Sequence, residues 1–182
     1  MLIPEDKIKI LLSNQEIQKR IKEVANQINK DYKGKSLLVV CILKGAVLFY
    51  ADLVRMLDID VRFDFMTISS YGNSTESTGE VKIKKDLDNS INEQHVLIVE
   101  DIVDSGLTLK NLKEVLSTRK PASLKVCCML NKPSRRKVEM VPDYCCFEIP
   151  DKFVIGYGLD YSEEYRQLKD VCYIDPEFAK TL

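Results

Sequence analysis

Histidine is almost missing from this chain: His95 is the only one in 182 residues, and no Cys-x-x-Cys pair occurs. The usual ligand sets of a structural or catalytic zinc site are therefore not available. Six cysteines are present, but four form the vicinal pairs Cys127-Cys128 and Cys145-Cys146 inside apolar, strand-like runs. Neighbours on a strand point to opposite faces, so such a pair neither chelates a metal nor closes a useful loop. Reduced core thiols in a cytoplasmic protein are the expectation. No apolar run reaches membrane-spanning length, and Met1-Leu-Ile-Pro-Glu-Asp-Lys7 is charged too early for a signal peptide. Asn73-Ser74-Thr75 then matches a glycosylation sequon by coincidence. An excess of one charge is also lacking: Lys+Arg 27 against Asp+Glu 28 leaves a net charge of -1. Nothing here would attract nucleic acid globally, and any electrostatic work falls to local pockets. Neither Gly-x-x-x-x-Gly-Lys-Ser/Thr nor Gly-x-Gly-x-x-Gly occurs, which leaves nucleotide hydrolysis and dinucleotide binding without support.

What is present reads as one domain over 1–182, long enough for a real core. Ser13-Asn-Gln-Glu16 has the form of a capping box, and Ile17, Ile21, Val24, Ala25 and Ile28 follow at helical spacing. The continuous apolar run 36–43 predicts a buried strand, ended by Lys44-Gly45, with a helix over 46–57. Alternation over 61–68 and again from Val81 predicts a hairpin. Between its arms, 69–80 holds one aromatic and no aliphatic side chain, and a segment that cannot bury itself reads as a lid or, more blandly, a linker. Further strands are expected at 124–130 and 171–174.

The densest chemistry follows Val96 to Val99, four apolar residues with the composition of a strand buried on both faces. Glu100, Asp101 and Asp104 come next, then Ser105, Gly106 and Thr108 at the mouth of a helix marked by Leu109, Leu112, Val115 and Leu116. A helix start after a strand aims backbone N–H groups at an anion. Three carboxylates beside an anion make sense only if they meet hydroxyls, a metal ion or a moving proton. Ribose, phosphate and magnesium together satisfy all three. Lys44-Gly45 offers a cation and a bare backbone for a second phosphate site, though a turn with a solvated lysine is an equal reading. Asn131 to Lys137 is either a basic surface turn or, at a strand's far end, a source of one inward cation. Phe147 to Tyr161, followed by Arg166, is aromatic-rich and punctuated by glycine; Phe153 could stack on a flat ring or lie in the core.

The run Val99-Glu-Asp-Ile-Val-Asp-Ser-Gly-Leu-Thr108 resembles the 5-phosphoribosyl 1-diphosphate signature of the type I phosphoribosyltransferase family, in the form of its 6-oxopurine branch. The likeness runs in order from Lys44 to Arg166. It implies an α/β fold with a mainly parallel central sheet flanked by helices, a small hood from segments near both termini, and a flexible lid hairpin. The implied reaction moves a phosphoribosyl group to hypoxanthine or guanine, giving IMP or GMP and diphosphate, with Mg2+ as cofactor. By the same resemblance Lys44 and Gly45, a pair with an unusual peptide geometry, bind diphosphate, and Ser70-Tyr71 belongs to the lid. Glu100 and Asp101 meet the ribose hydroxyls directly or through magnesium, and Asp104 is the general base for the purine N7 proton. Ser105, Gly106, Leu107 and Thr108 cradle the 5'-phosphate. Lys132 bonds the exocyclic oxygen, Phe153 stacks on the purine and the Val154 backbone reads the ring edge. Asp160 holds magnesium and Arg166 contacts the diphosphate. A homodimer or homotetramer is implied too. Two rivals remain: a nucleotide-sensing RNA-binding regulator on this fold, which the near-neutral charge disfavours, and a xanthine-specific enzyme.

Overall fold

The computed structural model describes residues 3–70 and 81–179. The chain begins with a short strand β1 (Ile8–Leu12) and the helix α1 (Asn14–Asp31). The expected capping box is formed: Ser13 accepts from the Glu16 backbone N–H and Glu16 accepts from that of Ser13. Two orphan donors of the first turn are thereby satisfied, and the five apolar residues foreseen are the ones that α1 buries.

β2 (Ser36–Leu43) buries six residues in a row. Its alternate side chains enter two different cores: Leu37, Val39 and Cys41 pack under α1, while Leu38, Val40 and Ile42 pack on the other face. Both faces being covered is why the strand carries no polar alternation. α2 (Val47–Val54) is shorter than the 46–57 expected. Met56 and Leu57 close tight i→i−3 bonds to Leu53 and Val54 instead, turning the chain toward β3 (Asp60–Ser70) while still touching the core. β4 (Val81–Lys85) pairs antiparallel with β3.

β5 (His95–Val103) runs four residues beyond the expected Val96 to Val99. Its pairing with β2 ends at Val99, opposite Cys41, but its pairing with β6 (Ser123–Asn131) continues to Val103. Between them lies α3 (Leu107–Ser117), which buries Leu109, Leu112 and Leu116. Val115, expected on that stripe, is largely exposed, because at 100° per residue it falls on the stripe's edge. After β6 come β7 (Tyr144–Glu148), the two-residue β8 (Val154–Ile155), β9 (Val171–Ile174) and a single turn, α4 (Pro176–Ala179).

The main sheet has the order β4-β3-β2-β5-β6-β7, parallel except for β4. Strand order reverses between β2 and β5, and a crevice beyond the carboxyl ends at such a reversal is where open α/β sheets bind ligands. A second sheet, β1-β9-β8, draws on both ends of the chain and closes over Ile3, Ile155, Tyr165, Cys172 and Ile174. All six cysteines are free thiols, five of them buried. Among the described residues no helix is long and apolar enough to cross a membrane.

Candidate active site

A cleft of about 430 Å³ opens at the reversal point. Its walls are the ends of β2 and β5, the start of α3, and the loop after β8; Lys44, Gly45, Glu100, Asp101, Asp104, Ser105, Gly106, Thr108, Asp160 and Arg166 all line it. Ten of the residues singled out in the sequence, from three separate stretches, therefore meet in one place. Ile68 and Ser69, at the end of β3, also line the cleft; nothing in their local sequence separated them from the rest of that strand.

Glu100 and Asp101 belong to β5 itself, not to a loop after it. They occupy the part of the strand that β2 has left, where the open edge faces the cleft. Burial, the neighbouring Asp101 charge and a hydrogen bond between the two carboxyls push Glu100 well above the ordinary glutamate value. Asp101, which burial alone would raise further, is eased by that hydrogen bond, by the Ile102 N–H at 2.6 Å and by Arg166. Burial, helped by the same two acids, raises the Cys41 thiol to about 12, which leaves that cysteine an inert core residue.

At the end of β2 the Leu43–Lys44 peptide is cis, the unusual geometry that the resemblance implied. Gly45 sits against the acids: a Cβ there would collide with the Asp101 carboxylate. Gly106 caps α3 with φ 79, a left-handed conformation that costs glycine little. The first turn of α3 faces the cleft, and its N-cap residue Gly106 has no side chain to cap its N–H groups, an arrangement that suits an anion site. Ser105 lies beside it, its hydroxyl 3.4 Å from the Leu107 N–H; Leu107 itself contributes backbone and does not line the cleft.

Opposite, Arg166 donates to Asp160 Oδ1 at 2.8 Å and to the Gly158 carbonyl at 2.8 Å. Asp160 Oδ2 accepts from the Glu163 N–H at 2.9 Å. Glu163 in turn meets Lys44 at 2.6 Å and Arg166 at 3.2 Å, and these cations hold its carboxyl below the usual range, Lys44 foremost. Glu163 was not foreseen; Ser162-Glu163-Glu164 reads as ordinary solvated polar chain.

Lys132, Phe153 and Val154 lie outside the lining of this cleft. Lys132 follows β6 directly, its N–H bonded to the Val103 carbonyl at 2.9 Å, and is 7% exposed. The basic cluster thus does send one lysine inward. The same cluster supplies an arginine that sequence reasoning passed over: Arg135 stands 3.2 Å from Asp104 and 3.4 Å from Asp151, and Asp151 is 3.9 Å from the Lys132 ammonium. A chain of ion pairs therefore joins Lys132 to Asp104. Arg136 donates to the Asp104 carbonyl at 2.7 Å and to the Asn131 side chain. Phe153 is not the core aromatic of the bland reading: it is 47% exposed, edge-on to Tyr161 at 5.7 Å, because it precedes a strand of only two residues at the rim of the small sheet. Val154 is buried in that strand. Lys152 lies over the Tyr173 ring at 3.6 Å. Ser70 ends β3; Tyr71 and the rest of the expected lid fall outside the described residues.

The donor set bears on magnesium. Among the described residues no three carboxylate, imidazole or thiolate groups converge as ligands, so Glu100, Asp101 and Asp160 do not form one three-ligand cage. Mg2+ suits such a place, since it commonly takes one or two carboxylates and completes its shell with water and phosphate oxygens. A pair of shielded acids short of positive charge, Glu100 and Asp101, is where a divalent cation would lower the electrostatic cost.

Residues 7–162 match the family of the phosphoribosyl transferase domain. The chain is similar to a hypoxanthine-guanine phosphoribosyltransferase of Bacillus subtilis, with 47% identity over 96% of this chain and 97% of that one. A protein of the same name from Mycobacterium bovis is 48% identical over 96% and 90% of the two chains. Among solved structures, a hypoxanthine phosphoribosyltransferase from Staphylococcus aureus superposes with a TM-score of 0.92 at 46% identity, covering 95% of each chain.

Proposed function

The chain belongs to the phosphoribosyl transferase domain family, and we propose that it transfers the 5-phosphoribosyl group of 5-phosphoribosyl 1-diphosphate to hypoxanthine or guanine, forming IMP or GMP and releasing diphosphate. The observation that carries the reading is the convergence, at one strand-order reversal, of an uncapped helix start, a pair of shielded acids and two cations on the facing wall.

Each part has a task that follows from its chemistry. Ser105, Gly106, Leu107 and Thr108 receive the 5'-phosphate on N–H and hydroxyl donors at the start of α3. Glu100 and Asp101 accept from the ribose hydroxyls. Breaking the glycosidic bond builds positive charge on the sugar and negative charge on the leaving diphosphate. Lys44, the Gly45 backbone and Arg166 stabilise the leaving group. Magnesium, held by Glu100 and Asp101 or by Asp160, would supply further charge neutralisation there. Asp104 takes the N7 proton as the other imidazole nitrogen of the purine attacks, with Arg135 3.2 Å from its carboxylate. The Lys132 ammonium donates to the 6-oxo group. An ammonium cannot accept, so adenine, with an amine at that position, has no partner there. Phe153, 47% exposed, stacks on the purine, and the Val154 backbone reads the base edge. Ser70 and Tyr71 close over the site and exclude water.

The reduced thiols suit a cytoplasmic setting. Its substrates are small molecules, and neither nucleic acid nor a membrane takes part. It assembles with itself: Val47, Leu48 and Phe63 are exposed apolar side chains on α2 and β3, with Phe63 57% exposed. The decisive experiment supplies donor and Mg2+ with a panel of bases and follows nucleotide and diphosphate. Hypoxanthine and guanine are expected to be converted; preference for xanthine, adenine or uracil would overturn the acceptor assignment.

A further inference from the structure

We propose that Glu163 is a displaceable counter-anion of the diphosphate subsite and thereby sets the affinity for the donor. The inference rests on the reading of Lys44 and Arg166 as the diphosphate-binding cations. The Glu163 carboxylate spans those two groups, with one oxygen 2.6 Å from the Lys44 ammonium and the other 3.2 Å from the Arg166 guanidinium. They come from two distant parts of the chain: Lys44 directly follows β2, while Glu163 and Arg166 sit in the loop between β8 and β9.

A diphosphate bound by Lys44 and Arg166 competes with this carboxylate. Both are oxyanions presented to the same pair of cations, and held side by side they repel each other. Two features make the carboxylate displaceable. The side chains of Lys44 and Glu163 are each 65% exposed, and an ion pair in that setting is worth little and is easily traded. The loop is also held unevenly. Tyr165 is anchored in the small core, its hydroxyl accepting from the Ile3 N–H at 2.7 Å, whereas Glu163 stands at the outer tip. Ser162 and Glu163 have φ of 51 and 66, a conformation that non-glycine residues hold at a cost. Arg166 Nε, buried, has no acceptor among the described residues, so the guanidinium is not fully satisfied by its present partners.

The consequence is selective. A multiply charged oxyanion bridging both cations outcompetes one carboxylate, while a singly charged anion gains nothing over it. With Glu163 neutralised, donor and diphosphate should bind about two- to fivefold more tightly, the range that an exposed pair of this kind supports.

The test measures inorganic diphosphate binding by calorimetry with Mg2+ present, and diphosphate inhibition of the forward reaction, for the wild type, Glu163→Gln and Glu164→Gln. Glu164 is an exposed neighbour of the same charge whose backbone pairs with Tyr161. The expected result is tighter diphosphate binding and a lower donor KM in E163Q only, an unchanged base KM, and a difference that shrinks with added KCl. Equal or weaker binding in E163Q overturns the proposal, and so does an equal gain in E164Q, which would reduce the effect to net charge. A wild type that binds diphosphate but forms no nucleotide from any base would instead count against the assigned reaction and leave this inference standing.

Discussion

The Asp101 carboxylate fills the space that a side chain at residue 45 would need. Gly45 thus lets the end of β2 close directly onto the acids of β5, and Gly158 backs onto the Gly45 carbonyl from the other side. Ala at residue 45 must push Asp101 away or shift the backbone. Overpacking of this kind costs about 1–3 kcal/mol, and a displacement of about 1 Å in a reacting site can cost roughly 10²-fold in rate. Gly45→Ala is expected to remain folded, by circular dichroism, with turnover lowered about 10²-fold or more. Near-normal turnover would show that the close approach is not needed.

Asp104 lines the cleft, next to the guanidinium of Arg135. If it takes the purine proton, Asp104→Asn keeps shape and hydrogen-bonding reach but cannot accept that proton. Turnover should fall by roughly 10²- to 10⁴-fold while donor binding, followed by calorimetry, stays within about twofold. Unchanged steady-state turnover removes Asp104 from this role.

Lys132 is tested on the acceptor. Lys132→Met retains length and apolar volume but loses the donor, and hydrogen bonds to charged groups are worth about 1.5–3 kcal/mol. The KM for hypoxanthine and guanine should rise about 10- to 100-fold with the donor KM unchanged. A rise in donor KM of the same size would place Lys132 at the phosphate end instead.

The Glu100 and Asp101 pair makes a prediction about pH and metal. Burial and the Asp101 charge raise Glu100 above its reference value of 4.5. Above that pH the unfolded chain has released a proton that the metal-free folded state still holds, so the folded state binds more protons and stability falls as pH rises through the window. Glu100→Gln removes this loss. In thermal melts without metal it should raise Tm near neutral pH by a few degrees, where about 1 kcal/mol corresponds to roughly 2–4 °C in a chain of this size, and by less near pH 5. Mg2+ should stabilise the wild type more than the variant, because bound metal is linked to the folded state and to ionised ligands. Equal stabilisation of both would place the metal elsewhere.

Much of this molecule was legible in one dimension. The capping box of α1, the doubly buried run of β2, the end of β9 and the segment from Glu100 to Thr108 are local patterns, and local patterns report on backbone preference and periodicity. Even the acids were identified by composition. What tertiary structure decided was where elements stop and which side chains meet. α2 ends early because β3 must begin, and β5 outlasts its pairing with β2 because β6 still supports it. That parting of β2 from β5 after Cys41 and Val99, invisible in either strand alone, opens the edge on which Glu100 and Asp101 lie. Arg135 beside Asp104, Glu163 across Lys44 and Arg166, and Asp101 against Gly45 are contacts between residues far apart in sequence. No periodicity encodes them; they exist only once the sheet has brought its carboxyl ends together.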